Sequence, residues 1–282
     1  MVLSFCWIGE CRILLQIRLD DLMKNYEDMA VIFMDLLGSQ AKNDFAEKFK
    51  IHNIFHTEMK RAEERKNARQ TQHVIYDRRI YSFSDCVYIF YFYKPGIEEY
   101  RKKNDELLKV ALLNSLNPIM KIMLSGNFVR GGATIGKCYI DDLGFFGPAV
   151  NRAYKIESEI AELPIIEIDN EIGRRIYKEQ IENSQTFIYD WKPSIISEKS
   201  GKYFLNYMYQ LEINSPLYYE NEEYDFDTVK EDILRNVFDN KAKHPQSEKI
   251  LKKMTFLEEW LQTEKCAKFS EKVIPMGSFT LE

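Results

Sequence analysis

Two β-forming runs, residues 73–83 (HVIYDRRIYSF) and 86–93 (CVYIFYFY), are separated only by Ser84-Asp85. A two-residue connection between runs so rich in aromatic and β-branched residues predicts an antiparallel hairpin, with an acid at its tip. Upstream, the continuous apolar run 30–34 (AVIFM) enters Asp35-Leu36-Leu37-Gly38-Ser39, which reads as a buried strand ending in a tight glycine turn. Between strand and hairpin, Phe45, Phe49, Ile51, Ile54, Phe55 and Met59 recur at three- and four-residue spacing and predict a helix from Asn43 to about Gln70.

Beyond the hairpin, residues 97–125 read as a long helix that Pro118 kinks or divides. Residues 128–140 (FVRGGATIGKCYI) alternate as a strand, and the loop DDLGFFGP leads into a helix near 149–162. Pro164 opens a strand (IIEID), a helix follows at about 170–182, and strands are expected near 186–191 and 203–213. The stretch 225–268 is mostly helical and charged. The order β-α-β-β-α-β, then α-β, predicts an α+β fold: a ferredoxin-like or palm-type βαββαβ antiparallel sheet covered by helices. Its core would span 28–213, with an N-terminal extension (1–27) and a mainly helical C-terminal extension (214–282).

Composition narrows the function classes. Hydrophobic residues make up 45% and charged residues 29%, enough for a real core. With 39 basic and 44 acidic side chains the net charge is −5, which disfavours a bulk grip on nucleic acid and leaves room for a local phosphate pocket. Cys6, Cys11, Cys86, Cys138 and Cys266 are scattered and odd in number, and read as reduced thiols. The apolar run 2–9 is followed by Glu10, Arg12 and Arg18, short of the roughly 18–20 residues a spanning helix needs. No small-residue cleavage pattern follows it. The run reads as an added element packed on the domain or as residues before the true start. The expectation is a cytoplasmic protein with no membrane and no nucleic-acid partner.

Two acids stand out by position. Asp35 ends a buried strand, and Asp85 tips a hairpin with buried flanks; an acid there is costly unless paired, hydrogen-bonded or bound to a cation. In a βαββ unit the first strand lies beside the following hairpin, so both acids can reach one sheet edge. With the Leu36 carbonyl they would make a hard-oxygen site suited to Mg²⁺ or Mn²⁺. Singly, Asp35 is equally an Asx-turn residue and Asp85 a turn residue. Leu36-Leu37-Gly38-Ser39 before a helix can offer amides to a triphosphate, a weak signal alone.

A third group is Gly144 to Lys155, where a glycine loop opens a helix carrying Asn151 and Lys155 one turn apart. An amide for a ribose and a cation for a phosphate suit phosphoryl transfer. Alone they read as a helix cap and a solvated charge. His52 and His56 lack an intervening Glu and read as a helix-surface pair. The aromatic run 88–93 reads as sheet core, and Ser39 has no neighbouring histidine to make it a nucleophile.

Taken in chain order, VIFMDLLGS (31–39), YSFSDCVYIF (81–90), VRGGATIG (129–136), FFGPAVNRAYKIES (145–158) and AELPIIEID (161–169) resemble the class III nucleotidyl cyclase domain. The likeness is greater to the pyrimidine cyclases of the bacterial Pycsar antiphage defence system. It lies within residues 28–170, about half the chain. The resemblance implies that Asp35 and Asp85, with the Leu36 carbonyl, hold two divalent ions, Mn²⁺ or Mg²⁺. It implies that Asn151 orients the ribose, and that Lys155 stands where purine cyclases place a phosphorus-steadying arginine, with Arg130 or Arg152 assisting. Lysine lacks the bidentate fork of arginine.

Base-reading positions depart from the adenylate pattern: Tyr81 replaces a lysine and Gly144 an aspartate, which fits the pyrimidine branch. Lys199 or Lys202 falls near the family's triphosphate-binding lysine, and Leu36, Leu37, Gly38 and Ser39 are the residues expected to present amides to the triphosphate. The implied activity converts UTP, or else CTP, to its 3′,5′-cyclic monophosphate and diphosphate, in a homodimer with shared active sites. The product would act on a separate cyclic-nucleotide-activated effector. A palm-type nucleotidyltransferase and a catalytically silent nucleotide-binding module are the rival expectations.

Overall fold

The computed structural model describes residues 25–38, 44–68, 74–183, 194–213, 217–219 and 222–264. Ser39, the expected strand near 186–191, the first 24 residues and the chain beyond 264 lie outside the described residues. Strand β1 (Glu27–Leu36) is followed by α1 (Phe45–Ala68), the hairpin β2 (Tyr76–Phe83) and β3 (Cys86–Tyr93), then α2 (Asn104–Leu124) and β4 (Val129–Ile140). These four strands form the expected βαββαβ unit, in the order β2-β3-β1-β4 and antiparallel throughout. Beyond β4 the sheet turns mixed. After β5 (Phe145–Phe146) and α3 (Pro148–Lys155), strand β6 (Ile166–Ile168) runs parallel to β4. Helix α4 (Asn170–Asn183) and the hairpin β7 (Ile196–Lys199) and β8 (Lys202–Leu205) complete it.

Strand pleating divides the core between the two faces. Ala30, Ile32, Met34 and Leu36 point into the larger cluster, with α2 and most of the later helices. Met29, Val31 and Phe33 point to the opposite face, where Ala149, Val150 and Ala153 of α3 cover them together with Tyr88 and Phe90. The close seat of α3 depends on Gly132, where a Cβ would come within 2.2 Å of the Ala153 carbonyl oxygen. The aromatic run 88–93 is sheet core, as expected, for Tyr88, Ile89, Phe90 and Tyr91.

Helix α2 is unbroken from residue 104 to 124 with Pro118 buried inside it, so of the two expected outcomes, a kink or a division, Pro118 does not divide it. It is the one described helix long and apolar enough to cross a membrane, and its apolar residues instead fill the core against the sheet. The strand expected at 203–213 ends at Leu205. There Asn206 accepts from the Met208 amide (3.1 Å) and donates to the Ser194 carbonyl (2.9 Å) and Glu212 Oε2 (2.9 Å), and the short helix α5 (Tyr209–Glu212) follows. A side chain that satisfies backbone groups locally ends the ladder.

Beyond a small hairpin, β9 (Leu217–Tyr219) and β10 (Glu222–Tyr224), come α6 (Phe226–Lys243) and α7 (Glu248–Thr263). Asp225 caps α6 by accepting from the Thr228 amide at 2.8 Å. Val229, Ile233, Val237, Met254, Leu257 and Trp260 belong to the same cluster as the sheet. Asn236 donates to the Met123 and Leu124 carbonyls at 3.0 and 3.2 Å, closing the C-terminal end of α2.

Candidate active site

Asp35 pairs with Cys86 on β3 and with Arg130 on β4, so these three side chains share one pleat face. The turn residue Asp85 is drawn to the end of β1 because its carbonyl accepts from the Leu36 amide at 3.0 Å. Strand register and this bond bring together Asp35, Asp85 and Cys86, whose ligand atoms all lie within 4.8 Å of one another. Ser84, beside Asp85, takes a left-handed φ of 53°. His56 on α1 holds that turn from outside. The Ser84 carbonyl can only accept, so His56 Nε2–H donates to it (3.2 Å), and in the neutral ring Nδ1 (3.0 Å) accepts from the Ser82 hydroxyl. Periodicity alone made His56 a surface residue; the contact spans separate elements.

Burial pushes the Asp35 carboxyl above its ordinary range, and the nearby Asp85 charge pushes the same way. The Cys86 thiol and Arg130 draw it partly back. Burial and the two carboxylates push the Cys86 thiol far up, so it stays protonated and donates to Asp35 Oδ1 at 3.2 Å. The two crowded carboxylates offer hard oxygen donors, which suit Mg²⁺ or Mn²⁺.

Arg130 is held by buried Glu157: its Nε donates to Oε1 at 2.6 Å, and a second guanidinium nitrogen reaches the same oxygen. Glu157 sits in the π-helical turn Ile156–Ile160 that continues α3, and no motif in the sequence singled it out. Leu37 donates its amide to the Phe128 carbonyl at 2.9 Å, and Gly38 turns the chain with φ 75°. Asn151 and Lys155 lie on the exposed face of α3 with Tyr154. Lys155 makes an exposed ion pair with Glu159 at 3.5 Å. Among the described residues neither makes a hydrogen bond or ion pair with Asp35 or Asp85. Arg152 instead pairs with Asp169 at 2.7 Å.

Tyr81 and Gly144 meet at the β4–β5 turn. The Tyr81 hydroxyl donates to the Asp141 carbonyl at 2.6 Å, and the Gly144 amide donates to Asp141 Oδ1 at 3.0 Å. Lys202 is committed to buried Glu167, at 2.8 and 3.0 Å, and also reaches the Ile160 carbonyl at 3.3 Å. Lys199 pairs with Glu259 of α7 at 3.0 Å.

No protein-family model and no curated protein matches the chain. Among solved structures it is similar to the guanylate cyclase domain of RhGC from Catenaria anguillulae in complex with GTP. That match has 17% identity and a TM-score of 0.39, covering 65% of this chain and 98% of that one. It is similar to the monomeric guanylyl cyclase domain of the RhoGC fusion protein from the aquatic fungus Blastocladiella emersonii (16% identity, 64% and 96% covered, TM-score 0.41). A bacterial light-regulated adenylyl cyclase is also similar, at 15% identity, 67% and 95% coverage and a TM-score of 0.38.

Proposed function

We propose that the protein is a metal-dependent nucleotidyl cyclase acting on a pyrimidine nucleoside triphosphate, UTP in preference to CTP. The observation that carries this reading is the convergence of Asp35 and Asp85 at one end of a βαββαβ sheet, with ligand atoms within 4.8 Å. Asp35, Asp85 and the Leu36 carbonyl would hold divalent ions, Mn²⁺ or Mg²⁺, which lower the pKa of the ribose 3′-hydroxyl and neutralise phosphate charge. In the reaction the 3′-oxygen bonds the α-phosphorus, the bond from that phosphorus to the β-phosphate bridge breaks, and diphosphate leaves with the electron pair. The hydroxyl proton passes to solvent. Asn151 would fix the ribose so that attack is effectively unimolecular. Lys155 and Arg130 would offset charge as it grows on phosphorus. The Leu37 amide, expected along the phosphates, is taken by the Phe128 carbonyl at 2.9 Å, which leaves the Gly38 turn to face them, and Tyr81 and Gly144 would border the base.

The exposed positions of Asn151 and Lys155 on α3 support a head-to-tail homodimer in which each acid pair receives these residues from the partner. Phe146, Tyr154 and Leu143, also exposed, give that side an apolar surface for a second copy. Residues 28–213 would form the catalytic domain, in a cytoplasmic protein whose cyclic product acts on a separate effector in antiphage defence. The test is incubation of the pure protein with Mn²⁺ and each of ATP, GTP, CTP and UTP, without template, followed by mass identification of the products. A cyclic pyrimidine monophosphate with stoichiometric diphosphate is expected. Oligonucleotide products, or binding without diphosphate release, would overturn the reading.

A further inference from the structure

Asp35 on β1 and Arg130 on β4 are direct cross-strand partners on one pleat face. Opposite charges so placed attract, and a carboxylate clasped by a guanidinium is a poor metal ligand, because the ion must first break the pair. Here the two do not pair. Among the described residues Asp35 makes no ion pair, and its carboxylate accepts instead from the neutral Cys86 thiol at 3.2 Å. Arg130 is turned the other way, with Nε and a second guanidinium nitrogen both on Glu157 Oε1.

Two features of the fold bring Glu157 within reach. It stands in the π-helical turn that follows α3, where the Ala161 amide bonds back to the Ile156 carbonyl at 2.6 Å. That turn can lie against β4 because the residue two places beyond Arg130, on the same pleat face, is Gly132. A Cβ at Gly132 would come within 3.0 Å of the Glu157 amide nitrogen.

The side chains of Arg130 and Glu157 are only 21% and 5% exposed, so little water screens their attraction. Breaking the pair would leave an uncompensated charge in a largely buried place, which makes the hold firm. The two cross-strand neighbours of Asp35 are therefore treated unequally. A neutral thiol, which a cation displaces at small cost, is left on the carboxylate, while the guanidinium that would neutralise it is drawn aside.

Resting on the cyclase reading, in which Asp35 and Asp85 hold divalent ions, we propose that Glu157 is a positioning residue that keeps Arg130 off Asp35 and so sets the affinity of the acid pair for its metal. Without the Glu157 charge, Arg130 turns to Asp35, and the metal must compete with a guanidinium for the same oxygens.

The test titrates Mn²⁺ alone, without nucleotide, into the full chain and into E157Q, R130Q, R130Q/E157Q and D169N, alongside turnover of UTP and CTP. Mn²⁺ should bind E157Q about tenfold more weakly, since one charge-assisted contact now opposes it. R130Q/E157Q should regain the affinity of the unaltered protein, because the competing cation is gone. D169N, which frees Arg152 and loosens α3 without touching Arg130, should bind as the unaltered protein does. The arginine Nε–H NMR signal that R130Q lacks reports where the guanidinium lies. Added Mg²⁺ should shift it strongly in E157Q, where the ion displaces it from Asp35, and leave it nearly in place in the unaltered protein. Equal Mn²⁺ affinity in E157Q and the unaltered protein, or no Mn²⁺ binding by either, overturns the proposal. A loss in E157Q that R130Q/E157Q does not restore, or that D169N shares, also overturns it, because the effect is then structural. R130Q should bind Mn²⁺ at least as tightly as the unaltered protein, and weaker binding there overturns the proposal even if E157Q does not fold. If Mn²⁺ affinity depends on Glu157 through Arg130 but no triphosphate is cyclised, the cyclase reading fails and the positioning role stands. If turnover is intact and E157Q binds Mn²⁺ normally, the positioning role alone fails.

Discussion

Asp35 titrates higher than an ordinary carboxyl because it is buried beside a second acid. That has a consequence for stability. The native state keeps the Asp35 proton to a higher pH than the unfolded chain, whose reference value is 3.8. Between those two values folding takes up a proton, so the metal-free protein loses stability as pH rises through the raised native value, and the contribution is fully present only below 3.8. A divalent ion reverses this, since it binds the ionised pair and competes with the proton. Asp35→Asn should therefore raise the metal-free melting midpoint at pH 7 by about 1–3 °C and abolish the midpoint rise on adding Mn²⁺. An undiminished Mn²⁺ shift in that variant would place the ion elsewhere. For Asp85, removing the carboxylate should take away several kcal/mol of transition-state stabilisation, so Asp85→Ala should lower turnover by at least about 100-fold in saturating Mn²⁺. Near-normal turnover would refute the metal assignment.

At the scale of elements, α3 bears Asn151 and Lys155 at a height over the sheet set by Gly132. A methyl group there would lie 2.2 Å from the Ala153 carbonyl oxygen and 2.7 Å from the Ile156 Cβ, so Gly132→Ala must lift the helix. Overpacking of this kind should cost about 1–3 kcal/mol in urea unfolding. It should also reduce turnover more than it weakens Mn²⁺ binding, because the acid pair sits on other strands. Equal losses of both would mean that the whole sheet had deformed. The elements readable in the sequence are those with local causes. The hairpin follows from a two-residue turn, β1 from an apolar run ending at an acid, and the place of Asp85 beside Asp35 from βαββ order. What could not be read depends on distant partners. Alternation in 203–213 looks like a strand until Asn206 is seen to bond Ser194 and Glu212. Glu157 holding Arg130 and His56 bracing the Asp85 turn both join segments far apart in the chain, and no spacing encodes them.

For the molecule as a whole, Asn151 and Lys155 stand exposed on α3, with no hydrogen bond or ion pair to Asp35 or Asp85 among the described residues. Leu143, Phe146 and Tyr154, on or just before that helix, are exposed too. A single chain would then hold two unlike half-sites, and closing a dimer head to tail about a two-fold axis would complete two sites at once. This arrangement makes a prediction that a self-contained site does not. Asp35→Ala chains lack the metal half and Asn151→Ala chains lack the ribose half, so each homodimer is inactive at both sites. In an equal mixture allowed to exchange subunits, half of the dimers are mixed, and each of those joins one intact metal half to one intact ribose half. Activity should return to about a quarter of that of the unaltered protein at the same total concentration. The recovery should fall on dilution below the dimer's dissociation constant, because the repaired site exists only across the interface. If both variants are folded, exchange subunits by mass measurement and still show no recovered turnover, the halves do not meet across a dimer, and Asn151 and Lys155 play no part in the chemistry at Asp35.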